Sequence, residues 1–152
     1  LFEFIILEGA QAGLTWQTVL NKRENYRKAL DNFNPKKIAN YNEKDVKRLL
    51  ENSGIIRNRL KIQATIINAK QFLQVKKEFG SFDAYIWQFV NGKQIKNSYK
   101  SLKDIPAKTK ESDAMSKDLI KRGFKFVGST ICYAFMQAVG MVDDHTTNCF
   151  RH

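Results

Sequence analysis

Leu119-Ile-Lys-Arg-Gly-Phe-Lys-Phe-Val-Gly-Ser-Thr-Ile131 places a tight turn between two helical stretches, with a glycine at either edge. Upstream, Ser112 can cap a helix that turns Met115 and Leu119 inward and ends near Gly123. Downstream, a second helix is expected from about Ser129 to Val139, with Gly140 as its stop. In such a helix-hairpin-helix, at about 119–130, the first backbone N–H groups of the second helix lack intrahelical partners and can hold a phosphate. Gly123 and Gly128 permit close backbone approach, and Lys121, Arg122 and Lys125 supply positive charge. Phe124, Phe126 and Val127 would anchor the turn from within. Contacts of this kind grip a nucleic-acid backbone without reading its sequence. A glycine-bounded turn also joins ordinary antiparallel helices, so the rest of the chain has to decide.

The rest reads as helix. Residues 1–12 are apolar and interrupted by Glu3, Glu8 and Gly9, and Thr15 can cap a helix with Val19 and Leu20 inside. Pro35 opens a short helical turn, and Asn42 caps another that buries Val46, Leu49 and Leu50 before Gly54 ends it. Arg57 to Phe79 is the longest helix, with Ile62, Ile66, Ala69 and Leu73 at helical spacing. Gly80 stops it, and Ser81 opens a helix through Tyr85, Ile86 and Phe89. The stretch 91–110, with Asn91-Gly92, scattered lysines and Pro106, is expected to be a loop. No strand alternation persists, so the class is all-α.

At 152 residues with 43% hydrophobic side chains, the chain can bury a real core, and 1–152 is expected to be one domain of two helical lobes. No apolar run approaches the roughly 18–20 residues of a membrane span. Two cysteines cannot frame a disulfide scaffold, which points to a reducing, cytoplasmic setting. The chain opens on Leu1 within a helical pattern, so the natural N-terminus is expected upstream. The net charge of +11 is spread over both halves, with Lys93, Lys96, Lys100, Lys103, Lys108 and Lys110 the densest run. A folded basic body attracts polyanions, nucleic acid foremost. Lysine used as a general solubiliser would give the same arithmetic.

Longer strings narrow the choice. Leu7-Glu8-Gly9-Ala10-Gln11-Ala12-Gly13-Leu14-Thr15-Trp16, Lys22 to Arg27, Gly54 to Arg59, Ser112 to Lys117 and Arg122 to Tyr133 run in order through the chain, closed by Asp144-His145 and Cys149. Together they resemble the 3-methyladenine DNA glycosylase I family, of the helix-hairpin-helix glycosylase superfamily, along essentially the whole chain. The resemblance implies an orthogonal helical bundle and hydrolysis of the N-glycosidic bond of 3-methyladenine in alkylated double-stranded DNA. It also implies a further N-terminal segment that supplies pocket aromatics, while a monomer is the default expectation. A non-catalytic DNA-binding module of the same hairpin type is the alternative.

Methylation at N3 makes adenine cationic, so the task is to extrude, recognise and release it. Glu8, as a buried carboxylate, could accept from the base's amino edge and favour its charge, and Trp16 could stack on the ring. On the residues alone, Glu8 could face solvent and Trp16 could be a core aromatic. By resemblance, Glu8 and Trp16 are the base-binding residues, Glu8 is the catalytic one, and Arg122, Gly123, Lys125 and Gly128 bind DNA. Superfamily members that also nick DNA carry a nucleophilic Lys just after the hairpin; Ser129-Thr130 stands there instead, so a monofunctional enzyme is expected. Asp143 and Asp144 occupy the window of the Asp that many relatives use on water, and neither is taken as catalytic.

His145 and Cys149, four residues apart, can reach one ion, and zinc accepts imidazole with thiolate. The resemblance implies a structural zinc, completed by two ligands from the N-terminal segment. Cys132 reads as a core thiol.

Overall fold

The computed structural model describes residues 1–152. Nine α-helices carry the fold: α1 Phe2–Ala10, α2 Trp16–Asn21, α3 Arg23–Ala29, α4 Pro35–Ala39, α5 Glu43–Leu50, α6 Arg59–Phe79, α7 Phe82–Trp87, α8 Lys110–Lys121 and α9 Ser129–Ala138. Two short strands, β1 Ile95–Lys96 and β2 Val142–Asp143, complete it. One hydrophobic cluster runs from Phe2 to Val142, so both ends of the chain enter the same core. No helix is long and apolar enough to cross a membrane.

Local chemistry sets most helix starts. The Thr15 hydroxyl accepts from the Thr18 N–H at 3.3 Å. The Asn42 side chain accepts from Lys44 and Asp45, while the Asp45 carboxylate accepts from the Asn42 N–H. The Ser81 hydroxyl accepts from the Ala84 N–H at 3.0 Å. Two starts differ from the sequence reading. α6 begins at Arg59 because the Asn58 side chain, accepting from the Lys61 N–H at 3.1 Å, supplies the cap. α8 begins at Lys110, capped by Thr109; Ser112 is the third residue inside it, and its hydroxyl accepts from the Thr109 N–H at 2.8 Å.

The stretch 91–110 is not the plain loop expected. β1 lies parallel to β2, with Ile95 opposite Val142 and Lys96 opposite Asp143, and the Ile95 and Asn97 N–H groups donate to Met141 and Asp143. Two residues per strand leave no alternation to read, and the partner lies far along the chain. The all-α class stands, with this ladder as its one extended element.

α1 sits where both arms meet, packed on α6 and on α9, while α8 packs on α9 and α4 on α6. Phe2, Ile5, Ile6, Leu7, Glu8, Gly9 and Ala10 are all buried, so α1 is a core helix without a solvent face. That decides where Glu8 lies.

Candidate functional site

Glu8, in the last turn of α1, is only 3% exposed, and its Oε2 is the one buried side-chain polar atom without a hydrogen-bond partner. Burial pushes its carboxyl up to about 7. Native interiors satisfy almost every buried polar group. A buried carboxylate oxygen that no protein donor reaches is therefore set for a donor that the fold itself does not supply. The solvent-facing reading of Glu8 is excluded. Trp16 opens α2 beyond the loop 11–15, half-buried against the edge of the core. Gly13 turns that loop at a φ of 77°, in the left-handed region that favours glycine.

Lys61, which sequence reasoning missed, fixes the near end of the loop. Its Nζ donates to the Ala10 carbonyl at 3.0 Å and to the Ala12 carbonyl at 2.6 Å, closing the C-terminal end of α1 with a cation. Burial pulls that ammonium below the ordinary lysine range. A narrow apolar cleft also runs along α1, walled by Ile5, Gly9, Tyr26, Lys61, Ile62 and Phe126, but not by Glu8 or Trp16. Its free volume of about 20 Å³ suits one water and excludes a purine.

A short turn joins α8 to α9 between Lys121 and Ser129. Gly123 takes a φ of 96° as α8 ends, and Phe124 and Val127 are buried beneath the turn. The Val127 carbonyl accepts from the Ser116 hydroxyl at 2.7 Å. Gly128 is the N-cap of α9 and offers no side-chain cap, and a Cβ there would meet nothing within 4 Å. The first N–H groups of α9 thus open outward. Lys125 is exposed at the turn, while its main chain is clasped by the Asn68 side chain: Oδ1 accepts from the Lys125 N–H at 2.8 Å and Nδ2 donates to its carbonyl at 2.9 Å. Asn68 was also missed; the signal was a polar residue beside Ala69 on the inner stripe of the longest helix. Lys108, Lys110 and Lys117 line a groove with Asp113 and Ser129, where the Asp113 carboxylate accepts from the Ser129 hydroxyl at 2.5 Å and the three lysines outnumber it.

Arg122 is tied into the fold. Its guanidinium is already engaged inside the protein, by Glu78 at 2.8 Å and by Asp118 at 2.7 Å, and it stacks over Phe79 and Tyr85. Glu78 and Asp118 hold it above its ordinary pKa. It braces the end of α8 against α6 and α7, with its side chain 24% exposed.

Asp144 is buried and accepts from Asn97 at 2.7 Å, from Gln137 at 2.8 Å and from the Tyr133 hydroxyl. Three protein donors engage both of its oxygens, which suits a brace. Asp143 accepts from the His145 N–H at 3.1 Å and so shapes the next turn. In that turn Cys149 Sγ and His145 Nδ1 lie 3.5 Å apart. A tetrahedral zinc, with bonds of about 2.0 Å to nitrogen and 2.3 Å to sulfur, sets its two donors about 3.5 Å apart. The pair fits one ion, although no group of three or more His, Cys, Asp or Glu side chains converges anywhere in the structure. Cys132 is a core thiol, pushed by burial up to about 12.

The whole chain, residues 1–152, matches the family model described as methyladenine glycosylase. It is 54% identical to DNA-3-methyladenine glycosylase 1 of Escherichia coli over 149 residues, covering 98% of this chain and 80% of that protein. Against the DNA-3-methyladenine glycosylase of Haemophilus influenzae the identity is 52%, with the same coverage. A crystal structure of a 3-methyladenine DNA glycosylase I superposes with a TM-score of 0.95 at 55% identity, covering 99% of this chain and 83% of that one. A Staphylococcus aureus structure that describes 3-methyladenine recognition also reaches 0.95, at 34% identity, covering 98% of this chain and 79% of that one.

Proposed function

The chain belongs to the methyladenine glycosylase family, and on that premise we propose that Glu8 captures the cationic base of an N3-methylated adenine extruded from duplex DNA. The enzyme is a DNA-3-methyladenine glycosylase of base-excision repair. The observation that carries the role of Glu8 is its buried carboxylate with an unpartnered oxygen. An exocyclic amino group and a positive ring satisfy both the missing hydrogen bond and the missing countercharge, and neutral adenine satisfies only the first. Trp16, partly open at the start of the neighbouring helix, offers an indole face on which a cationic ring stacks for about 1–2 kcal/mol.

The chemistry is hydrolysis. The C1′–N9 bond breaks with its electron pair going to the purine, which leaves neutral. Water adds its hydroxyl to C1′ and gives up a proton. The base is already a good leaving group, so preorganised electrostatics around it can supply much of the rate. Ser129 and Thr130, where a lyase would hold its amine, cannot form a Schiff base, so the product is an abasic site in an unbroken strand.

Duplex binding falls to the start of α9 with Gly123, Lys125 and Gly128, extended by Lys108, Lys110 and Lys117. Lys125→Ala is expected to weaken binding to every duplex alike and to lower the salt slope by about one. Filter binding across salt concentrations checks this; a sequence-selective loss would contradict it. His145 and Cys149 would hold a structural zinc whose other two positions are filled by donors beyond this pair. The ion would pin the C-terminal turn and take no part in the chemistry. His145→Ala is expected to lower both bound zinc, read by metal analysis, and Tm; unchanged zinc content would remove the site.

The activity is tested by incubating the chain with methylated and unmethylated duplex DNA and separating free bases. The expected result is 3-methyladenine from the methylated duplex alone, with no strand break until alkali is added. Tight DNA binding without base release would favour the non-catalytic module.

A further inference from the structure

One face of α6 touches both halves of the site. Lys61 and Asn68 stand seven residues apart, two turns along the same face and about 10 Å along the axis. Lys61 holds the Ala10 and Ala12 carbonyls, which lead out of the helix carrying Glu8. Asn68, only 4% exposed, holds both main-chain polar groups of Lys125, at the tip of the hairpin. Between these anchors lies Phe126, at a φ of 55°, a backbone setting that a bulky side chain rarely adopts. That setting brings its backbone to Gly9, where a Cβ would lie 3.3 Å from the Phe126 carbonyl oxygen, and its ring to 6.0 Å from the Lys61 ammonium. The hairpin and the Glu8 helix are thus in direct contact, and α6 ties each of them by side-chain hydrogen bonds.

We propose that Lys61 and Asn68 are positioning residues that lock the DNA-gripping hairpin in register with the base-recognition helix, so that a phosphate seated at the hairpin fixes where the extruded base meets Glu8. The proposal rests on the glycosylase reading above. Neither residue touches the reacting atoms. Each acts through main-chain groups, Asn68 through Lys125 and Lys61 through Ala10 and Ala12. No local pattern records the link, because its parts come from three separate segments: residues 9–12, α6 and residues 125–126. A base displaced by an ångström from its recognition group loses rate out of proportion to the displacement. Two gripping points that drift independently would therefore bind DNA and bind base normally, and still excise slowly.

The test uses the full chain as Lys61→Met, Lys61→Arg, Asn68→Ala and the Lys61→Met/Asn68→Ala double variant. Steady-state excision from methylated duplex, affinity for unmethylated duplex, affinity for free 3-methyladenine and Tm are measured for each. Lys61→Met and Asn68→Ala are expected to lower kcat about tenfold or more, with KM and both affinities within about twofold of the parent. Lys61→Arg restores kcat, and the double variant is no slower than the slower single one, since one lock cannot be broken twice. Should Asn68→Ala fail to fold, the Lys61→Met and Lys61→Arg pair carries the test alone. Parental kcat in Lys61→Met with only Tm lowered makes the contacts structural and overturns the proposal. A matching loss of free-base affinity overturns it too, because the pocket itself would then be damaged. An inactive parent overturns the glycosylase reading and this proposal together, whereas an active parent with unaffected variants overturns the lock alone.

Discussion

Glu8→Gln is expected to give a protein that is more stable than the parent at pH 8 and nearly inactive. Both effects come from one buried carboxyl, raised by desolvation to about 7 from an ordinary 4.5. Below 4.5 both folded and unfolded chains hold the proton, and parent and variant differ little. Between 4.5 and about 7 the unfolded chain ionises while the folded one stays neutral, so the parent loses stability as pH rises. Above about 7 the folded chain carries the buried charge and the loss is complete, at about 3 kcal/mol. The amide of Gln does not ionise, so the variant's advantage should open across that window and then hold. Denaturant melts at pH 4.5 and pH 8 read it directly. Excision should fall roughly a hundredfold, the scale on which one preorganised electrostatic contact acts on a transition state. A variant as active as its parent, or less stable at pH 8, would remove Glu8 from the site.

Asp144→Ala is expected to produce the largest loss of stability among the polar residues near the C-terminus, about 3 kcal/mol or more. The alanine leaves the donors of Asn97, Gln137 and Tyr133 unpaired where α9, the Asn97 segment and β2 meet. Single-turnover excision by the folded fraction should stay at the parental rate. A selective loss of rate at unchanged Tm would instead make Asp144 a participant in the chemistry.

How much of this was legible in the sequence depends on how far apart the partners lie. Thr15, Asn42 and Ser81 cap their helices within three residues, and all three were readable as caps. At α8 the same local logic chose Ser112 over Thr109, because a capping box links two hydroxyls three residues apart and either can be read as its start. The His145–Cys149 pair lies within one turn of chain, so its proximity was readable from spacing, whereas the expectation of zinc came from the resemblance. Arg122 showed its charge, but not that Glu78 would arrive from 44 residues away to engage it. The Lys61 and Asn68 contacts span 51 and 57 residues, and a two-residue strand pairs across a similar gap, so no local pattern records them. Glu8 lies between these cases: its neighbours Ile5, Ile6 and Leu7 hinted at burial, whereas its unpartnered oxygen is visible only in three dimensions.

The pH dependence of 3-methyladenine release from methylated duplex DNA tests the central claim most directly. If an ionised, buried Glu8 recognises the cationic base, kcat/KM reports the free enzyme and should climb through about 7 to a plateau, standing about tenfold below it at pH 6. A profile flat from pH 5.5 to 8.5, or one that falls as pH rises, would contradict the account.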